Sequence, residues 1–173
     1  MVRHVFLTGK KHVGKSALLK KILAQYSGCV GGFQTVKTSD YLRDCYSVHF
    51  CAWGEAFFPS AHNLLFVCGQ FDEQTGERFN RLVGDLLNRS AGASLLVMDE
   101  LGPHESYAAA FHAAILQLLD GAIPTLGVLQ APAELYWPEI VRHPKVTMID
   151  VNESNREEKK VIEEILSILT GEE

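Results

Sequence analysis

The stretch TGKKHVGKSALL, which begins at Thr8, constrains the fold more than any other part of the chain. It matches the P-loop (Walker A) pattern GxxxxGK[ST] at every fixed position, from Gly9 to Ser16. An apolar run at residues 2–7 precedes the pattern, and residues 15–26 have the composition of a helix. Because a P-loop joins the end of a buried strand to the start of a helix, this order predicts a loop that holds a polyphosphate.

The residues of this loop have distinct expected roles. The glycines allow unusual backbone angles, so that successive backbone N–H groups can approach the phosphates. Lys15 is expected to reach the β- and γ-phosphates and to act in catalysis, and the Ser16 hydroxyl is expected to ligate Mg²⁺. These roles imply a nucleoside triphosphate as the ligand and Mg²⁺ as the cofactor. The predicted nucleotide-binding residues of the loop are Gly9, Lys10, Lys11, His12, Val13, Gly14, Lys15 and Ser16.

The second half of such a site is predicted at the end of an acidic strand. Residues 94–98 form a continuous apolar run that leads into Asp99 and Glu100. Asp99 is expected to hold Mg²⁺, because hard cations prefer oxygen ligands. Glu100 is expected to be the catalytic base that accepts a proton from an attacking water. Gly102 completes an Asp-x-x-Gly spacing that can bring a backbone N–H to the γ-phosphate, but a glycine before Pro103 also suits a simple turn.

Composition bounds the class of protein. The chain has 173 residues, of which 47% are apolar and 21% charged, and these values predict one globular domain over residues 1–173. No apolar run approaches the roughly 20 residues that cross a bilayer, and we see no signal peptide, so we expect no membrane association. A net charge of -5 argues against general nucleic-acid binding. The four cysteines form no CxxC pair, which suits a reducing cytoplasm.

Strand-like and helix-like segments alternate along the chain. This order predicts βαβ units, and so an α/β fold with a mainly parallel central sheet flanked by helices. The last helix is expected to begin at a capping box formed by Ser154 and Glu157. The predicted strands are residues 2–7, 29–36, 46–52, 64–68, 94–98, 123–129 and 146–151, and the predicted helices are residues 15–26, 79–87, 108–121 and 154–169.

The chain resembles the THEP1-type nucleoside-triphosphatases. The resemblance is carried by MVRHVFLTGKKHVGKSALLKKI, GGFQT, VMDELGPHE and IVRHPKVTMIDVNESNREE, and it is weakest at residues 36–65. It implies a P-loop fold with an added strand between the P-loop strand and the acidic strand. It also implies slow, Mg²⁺-dependent hydrolysis of several nucleoside triphosphates to diphosphate and phosphate. The chain departs from the family pattern at residues 36–39, where it reads VKTS, and at Pro103 and His104.

Two other functions share these motifs. A nucleoside or nucleotide kinase would use the same loop to phosphorylate an acceptor hydroxyl, but such kinases usually close an arginine-bearing lid, and residues 101–141 contain no lysine or arginine. A nucleotide-binding switch with weak hydrolysis and a partner protein is the other alternative. No Asn-Lys-x-Asp signature of guanine recognition follows the acidic strand, so we expect low base specificity. The sequence does not indicate an oligomeric state.

The sequence leaves two possible roles open for Asn155 and Arg156, and two for Lys10 and Lys11. Asn155 and Arg156, just past a strand end, either contact the base or ribose or only begin the last helix. Lys10 is proposed to supply transition-state charge, within the chain or across a dimer, as lysines after the first glycine do in some dimeric P-loop ATPases. The alternative is that Lys10 and Lys11 point to solvent and only attract anions.

Overall fold

The computed structural model describes residues 3–70 and 72–171 of the chain. Val2, where the first strand was predicted to begin, lies outside the described residues. The strands are β1 (His4–Thr8), β2 (Val30–Thr38), β3 (Ser47–Ala52), β4 (Leu64–Val67), β5 (Leu95–Leu101), β6 (Thr125–Leu129) and β7 (Val146–Asp150). The helices are α1 (Lys15–Leu23), α2 (Gln74–Arg81), α3 (Val83–Ser90), α4 (Ala109–Asp120), α5 (Ala133–Tyr136), α6 (Pro138–Val141) and α7 (Lys159–Thr170).

The strands form one sheet in the order β4-β3-β2-β5-β6-β1-β7. Strands β2, β5, β6, β1 and β7 pair in parallel, whereas β3 and β4 add an antiparallel extension at one edge. The α/β fold with a mainly parallel sheet is therefore confirmed. Strand β6 lies between the P-loop strand β1 and the acidic strand β5, as the resemblance implied.

The core lies on both faces of this sheet, because successive side chains of a strand point to opposite faces. On one face Val5, Leu7 and Val97 pack against α1 and α7. On the other face Phe6 and Met98 pack against side chains of α2, α3, α4, α5 and α6. A parallel sheet covered in this way leaves its carboxyl-end edge as the place where loops can bind a ligand.

Three predicted helices differ in detail. The helix predicted at residues 79–87 is two helices, α2 and α3, separated at Leu82. Helix α1 ends at Leu23, before the predicted end at residue 26. The last helix begins at Lys159, not at the predicted capping box, because the Ser154 hydroxyl donates to the Asn152 side chain within a preceding turn.

Within residues 3–70 and 72–171, no helix has both the length and the apolar character needed to cross a bilayer.

Candidate active site

The P-loop lies at the carboxyl end of β1, as predicted, and connects it to α1. Gly9 has a φ of +135° and Gly14 a φ of +111°, in the region that favours glycine. A Cβ atom on Gly9 would lie 2.4 Å from the Val151 carbonyl oxygen, so a side chain has no room there. His12 is also left-handed, with a φ of +62°. This backbone gives the loop the tight curve that phosphate binding by backbone N–H groups requires.

Lys15 is the first residue of α1 and is only 7% exposed. Its Nζ donates to the carbonyl oxygen of Gly9 at 3.0 Å and to that of Lys10 at 2.9 Å. The ammonium group therefore lies beneath the curve of the loop, next to the cavity where phosphates would bind. A buried cation at the N-terminus of a helix creates a strongly positive site for an anion.

Arg156 contacts the P-loop near Val13 and Gly14. Its Nη1 donates to the Val13 carbonyl oxygen at 3.3 Å, and its Cδ lies 3.4 Å from where a Cβ of Gly14 would be. Asn155 donates through Nδ2 to the Asp150 carbonyl oxygen at 2.8 Å and so stabilises the turn before α7. Neither residue begins the last helix, which starts at Lys159; both contact the protein backbone in the turn before it. Contact of this pair with a base or ribose stays a prediction.

Ser16 and Asp99 form the candidate metal site. The Ser16 hydroxyl donates to Asp99 Oδ1 at 3.0 Å, although the two residues are 83 positions apart in the sequence. Burial raises the pKa of the Asp99 carboxyl, and this effect is opposed by the Ser16 hydrogen bond and by the charges of Lys20 and Lys15. A hydroxyl and a carboxylate in contact form the hard-oxygen donor set that suits Mg²⁺.

Mg²⁺ differs from metal ions that need a dense set of protein ligands. Among the described residues, no group of three or more His, Cys, Asp or Glu side chains could hold a metal. Mg²⁺ needs no such cage, because it usually keeps several waters and binds through one or two protein oxygens and the substrate phosphates. The Ser16–Asp99 pair therefore fits Mg²⁺.

Glu100 faces the same cleft as Asp99. In a regular strand these neighbours would point to opposite faces, but the register of β5 against β6 shifts between Asp99 and Leu101, and both carboxylates line one cavity. Burial raises the pKa of the Glu100 carboxyl, the nearby Lys15 charge opposes this effect and Asp99 adds to it. A buried and a half-buried acid with perturbed pKa values in one cleft are typical of a functional site.

Both backbone polar groups of Gly102 form hydrogen bonds with side chains. Its N–H donates to Glu105 Oε2 at 2.9 Å, and its carbonyl oxygen accepts from Trp137 Nε1, also at 2.9 Å. Glu105 is 5% exposed, and burial raises the pKa of its carboxyl to about 7. The N–H predicted to reach the γ-phosphate thus has a carboxylate partner in this structure. Sequence reasoning missed the roles of Glu105 and Trp137, because only their contacts reveal them.

Two adjoining cavities open at this edge of the sheet. The first, of about 460 Å³, lies along the P-loop and includes Lys15, and the second, of about 390 Å³, extends from the candidate metal site towards His104. Both cavities are lined by Lys11, His12, Ser16, Glu100 and Gln130. Gln130 was not predicted, although a polar residue directly after a buried strand is the signal that could have found it.

Lys10 and Lys11 of the P-loop, and the positions that depart from the family pattern, lie near the two cavities. Lys10 and Lys11 are both exposed, and Lys11 lines both cavities. Lys37, which belongs to the atypical segment 36–39, lines the second cavity together with Pro103 and His104. The departures from the family pattern therefore lie beside the candidate site rather than in the P-loop.

Known proteins are similar to this chain along nearly its whole length. The nucleoside-triphosphatase THEP1 of Natranaerobius thermophilus is 24% identical in an alignment over 162 residues, with 90% of this chain and 90% of the other chain covered. The crystal structure of THEP1 from the hyperthermophile Aquifex aeolicus superposes with a TM-score of 0.64 at 22% identity, covering 96% of this chain and 98% of the other.

The solution structure of a human cancer-related nucleoside triphosphatase superposes with a TM-score of 0.66 at 24% identity, covering 99% and 100% of the two chains. At such identities the two superpositions show a shared fold. The family model described as NTPase matches residues 4–166. Because this match covers most of the chain, the protein belongs to the NTPase family, the THEP1-type nucleoside-triphosphatases that its motifs resemble.

Proposed function

We propose that this enzyme hydrolyses nucleoside triphosphates to diphosphate and phosphate in a Mg²⁺-dependent reaction with low base specificity. The observation that carries the proposal is the convergence of Lys15, the Ser16–Asp99 pair and Glu100 on one cleft. Phosphate release from ATP, GTP, CTP and UTP, measured with Mg²⁺ and with a chelator, tests it. Activity that persists without any divalent metal would contradict the proposal.

The P-loop, the N-terminus of α1 and Lys15 bind the phosphates of the nucleotide. The backbone N–H groups of residues 9–16 surround the phosphates, and the N-terminus of α1 adds positive potential. Lys15, on contact with a polyphosphate, exchanges its carbonyl partners for phosphate oxygens and neutralises charge that builds up in the transition state.

Ser16 and Asp99 are the residues that would hold Mg²⁺ through a hydroxyl and a carboxylate oxygen. When bound, this ion supplies charge neutralisation at the phosphate oxygens. The Gly102 N–H is proposed as a further contact for the γ-phosphate, which would compete for it with the Glu105 carboxylate.

Glu100 is proposed as the catalytic base. The attacking water transfers a proton to the Glu100 carboxylate as its oxygen bonds to the γ-phosphorus. The bond from that phosphorus to the β–γ bridging oxygen breaks, and the diphosphate leaves with the electron pair. The position of Glu100 on the wall of both cavities is the observation that supports this role.

We expect ATP, GTP, CTP and UTP to be hydrolysed with kcat/KM values within about tenfold of one another. The first cavity is lined by residues of the P-loop, by Ala17 and Glu100, and by Gln130 and Ala131, which suits recognition of the phosphates. A tenfold spread is only about 1.4 kcal/mol, less than a buried unpaired base-reading group often costs. Steady-state kinetics on the four triphosphates make the measurement, and a preference above a hundredfold for one base would disprove it.

We expect Lys11→Ala to lower turnover at saturating nucleotide by about tenfold, and Lys10→Ala to leave it unchanged. The reason is that Lys11 lines both cavities, so it is better placed than Lys10 to supply the transition-state charge first proposed for Lys10. A lysine that only attracts anions changes association, and its effect fades with salt.

Saturated turnover at moderate salt, with the exposed Lys160→Ala as control, separates these roles. Wild-type turnover in both loop variants would exclude either lysine as a source of transition-state charge, and a loss in Lys10→Ala alone would restore the original assignment.

We also propose a cytoplasmic location without general nucleic-acid binding. Free Cys29, Cys45, Cys51 and Cys68 suit a reducing compartment, and the net charge of -5 opposes binding to a polyanion.

A further inference from the structure

The second cavity is much larger than an attacking water. Its volume is about 390 Å³, whereas one water takes up about 30 Å³ of liquid volume. Cavities of about 300–1,000 Å³ are typical of small-molecule sites. Because it shares Ser16 and Glu100 with the P-loop cavity, a molecule inside it would lie directly beside the transferable phosphoryl group.

One wall of this cavity is apolar. Val48, Phe66 and Pro103 contribute to it, and the rings of Phe66 and His104 meet edge to face with centroids 4.5 Å apart. Neither water, phosphate nor Mg²⁺ gains from such a wall, since all three prefer polar oxygen or nitrogen partners. An aromatic ring packed against Phe66 and Pro103 would remove apolar surface from water.

The same cavity has cations of its own. Lys37 from β2 and Lys11 from the P-loop both line it. They come from outside residues 101–141, the stretch whose lack of lysine and arginine argued against a kinase. The Lys37 ammonium lies over the Tyr46 ring, 4.7 Å from its centroid, a contact that it can exchange for an anion. Two lysines beside an apolar wall therefore suit a ligand that combines a ring with an anionic group. Glu100 at the boundary between the cavities suits a hydroxyl that can give up a proton.

We propose that the second cavity binds a phosphoryl acceptor, a small alcohol that carries a ring and an anionic group, and that the enzyme phosphorylates its hydroxyl. The proposal rests on the nucleotide site proposed above. The acceptor O–H transfers its proton to Glu100 as its oxygen bonds to the γ-phosphorus. The bond to the β–γ bridging oxygen breaks, and the nucleoside diphosphate leaves with the electron pair. Water and the acceptor then compete for one phosphoryl group.

The test uses the full-length chain, Mg²⁺ and ATP labelled in the γ-phosphate. The probe 2′-deoxyadenosine 3′-monophosphate has the ring, the anion and one free hydroxyl. Deoxyadenosine lacks the anion, glycerol 3-phosphate lacks the ring, and 2′-deoxyadenosine 3′,5′-bisphosphate lacks the free hydroxyl. We expect label to appear in the first probe, at least about tenfold less in deoxyadenosine and glycerol 3-phosphate, and none in the bisphosphate.

Two variants locate the acceptor. Lys37→Met and Phe66→Ser are each expected to lower the ratio of labelled acceptor to labelled phosphate by about tenfold, and the exposed Lys160→Met is expected to leave it unchanged. This ratio compares two products of one reaction mixture, so it does not depend on the folded fraction of a variant.

The outcomes separate this proposal from the hydrolase proposal. Phosphate release with no label in any probe would overturn the acceptor site alone. Neither phosphate release nor transfer would overturn both proposals. Transfer with the same ratio in Lys37→Met and Phe66→Ser as in wild type would overturn the assignment to this cavity. Label in the first probe that falls in both variants would support it.

Discussion

Lys15→Ala is expected to abolish or greatly weaken nucleotide binding and to lower kcat/KM for ATP by on the order of 10³-fold. The side chain is a buried cation whose Nζ lies within 3.0 Å of the Gly9 and Lys10 carbonyl oxygens, beneath the loop that would hold the phosphates. Alanine removes the charge and leaves those carbonyls facing the anion. Binding of a fluorescent ATP analogue and steady-state kinetics provide the measurement.

The lysine change needs a control for folding, because Lys15 also bonds to the loop. Lys15→Arg keeps the charge but presents a planar group of different shape, and we expect it to retain more binding than alanine does. Lys160→Ala, on the exposed face of α7, should match wild type. If folded Lys15→Ala protein binds ATP as wild type does, the P-loop is not the nucleotide site.

Glu100→Gln is expected to leave nucleotide binding intact and to reduce turnover by about 10²-fold or more, the scale of a lost general base. Glutamine has nearly the same shape as glutamate, so the lining of both cavities is preserved, but its amide cannot accept a proton at neutral pH. Equilibrium binding and single-turnover hydrolysis of ATP, measured on the same protein, separate these effects. Hydrolysis at the wild-type rate would show that another group is the base.

Asp99→Asn serves as the matched comparison. The Asp99 carboxylate accepts a hydrogen bond from Ser16 at the candidate metal site. Loss of this carboxylate should raise the Mg²⁺ concentration needed for half-maximal activity, whereas Glu100→Gln should not. Glu134→Gln, an exposed change on α5, controls for the loss of one carboxylate. An unchanged Mg²⁺ requirement in Asp99→Asn would argue against this residue as the metal ligand.

The parts of the site that could be predicted are those carried by short stretches of sequence. The P-loop lies within residues 9–16, and its strand and helix are its immediate neighbours, so pattern and composition were sufficient. The position of Asp99 and Glu100 near the end of a strand could be predicted because an apolar run leads directly to them. The α/β fold followed from the alternation of segments, since the periods of strands and helices are local properties.

The error at the start of the last helix has a local cause. The residues Ser154 and Glu157 fit a capping box, but the Asn152 side chain accepts from both the Ser154 hydroxyl and the Asn155 backbone N–H and stabilises a turn instead. Asparagine competes with helix formation in this way through short-range hydrogen bonds. Whether the capping box or the asparagine-stabilised turn forms depends on the packing of the following helix, which a local motif does not describe.

By itself, the sequence determined the position of the P-loop, the acidic strand end and the fold class. Only the tertiary structure decided which distant residues meet there. Ser16 bonds to Asp99 across 83 positions and Arg156 to Val13 across 143. Lys37 reaches the second cavity because β2 pairs with β5. The physical reason is that strand order and register result from burying both faces of the sheet at once, whereas helix and strand periodicity act over a few residues.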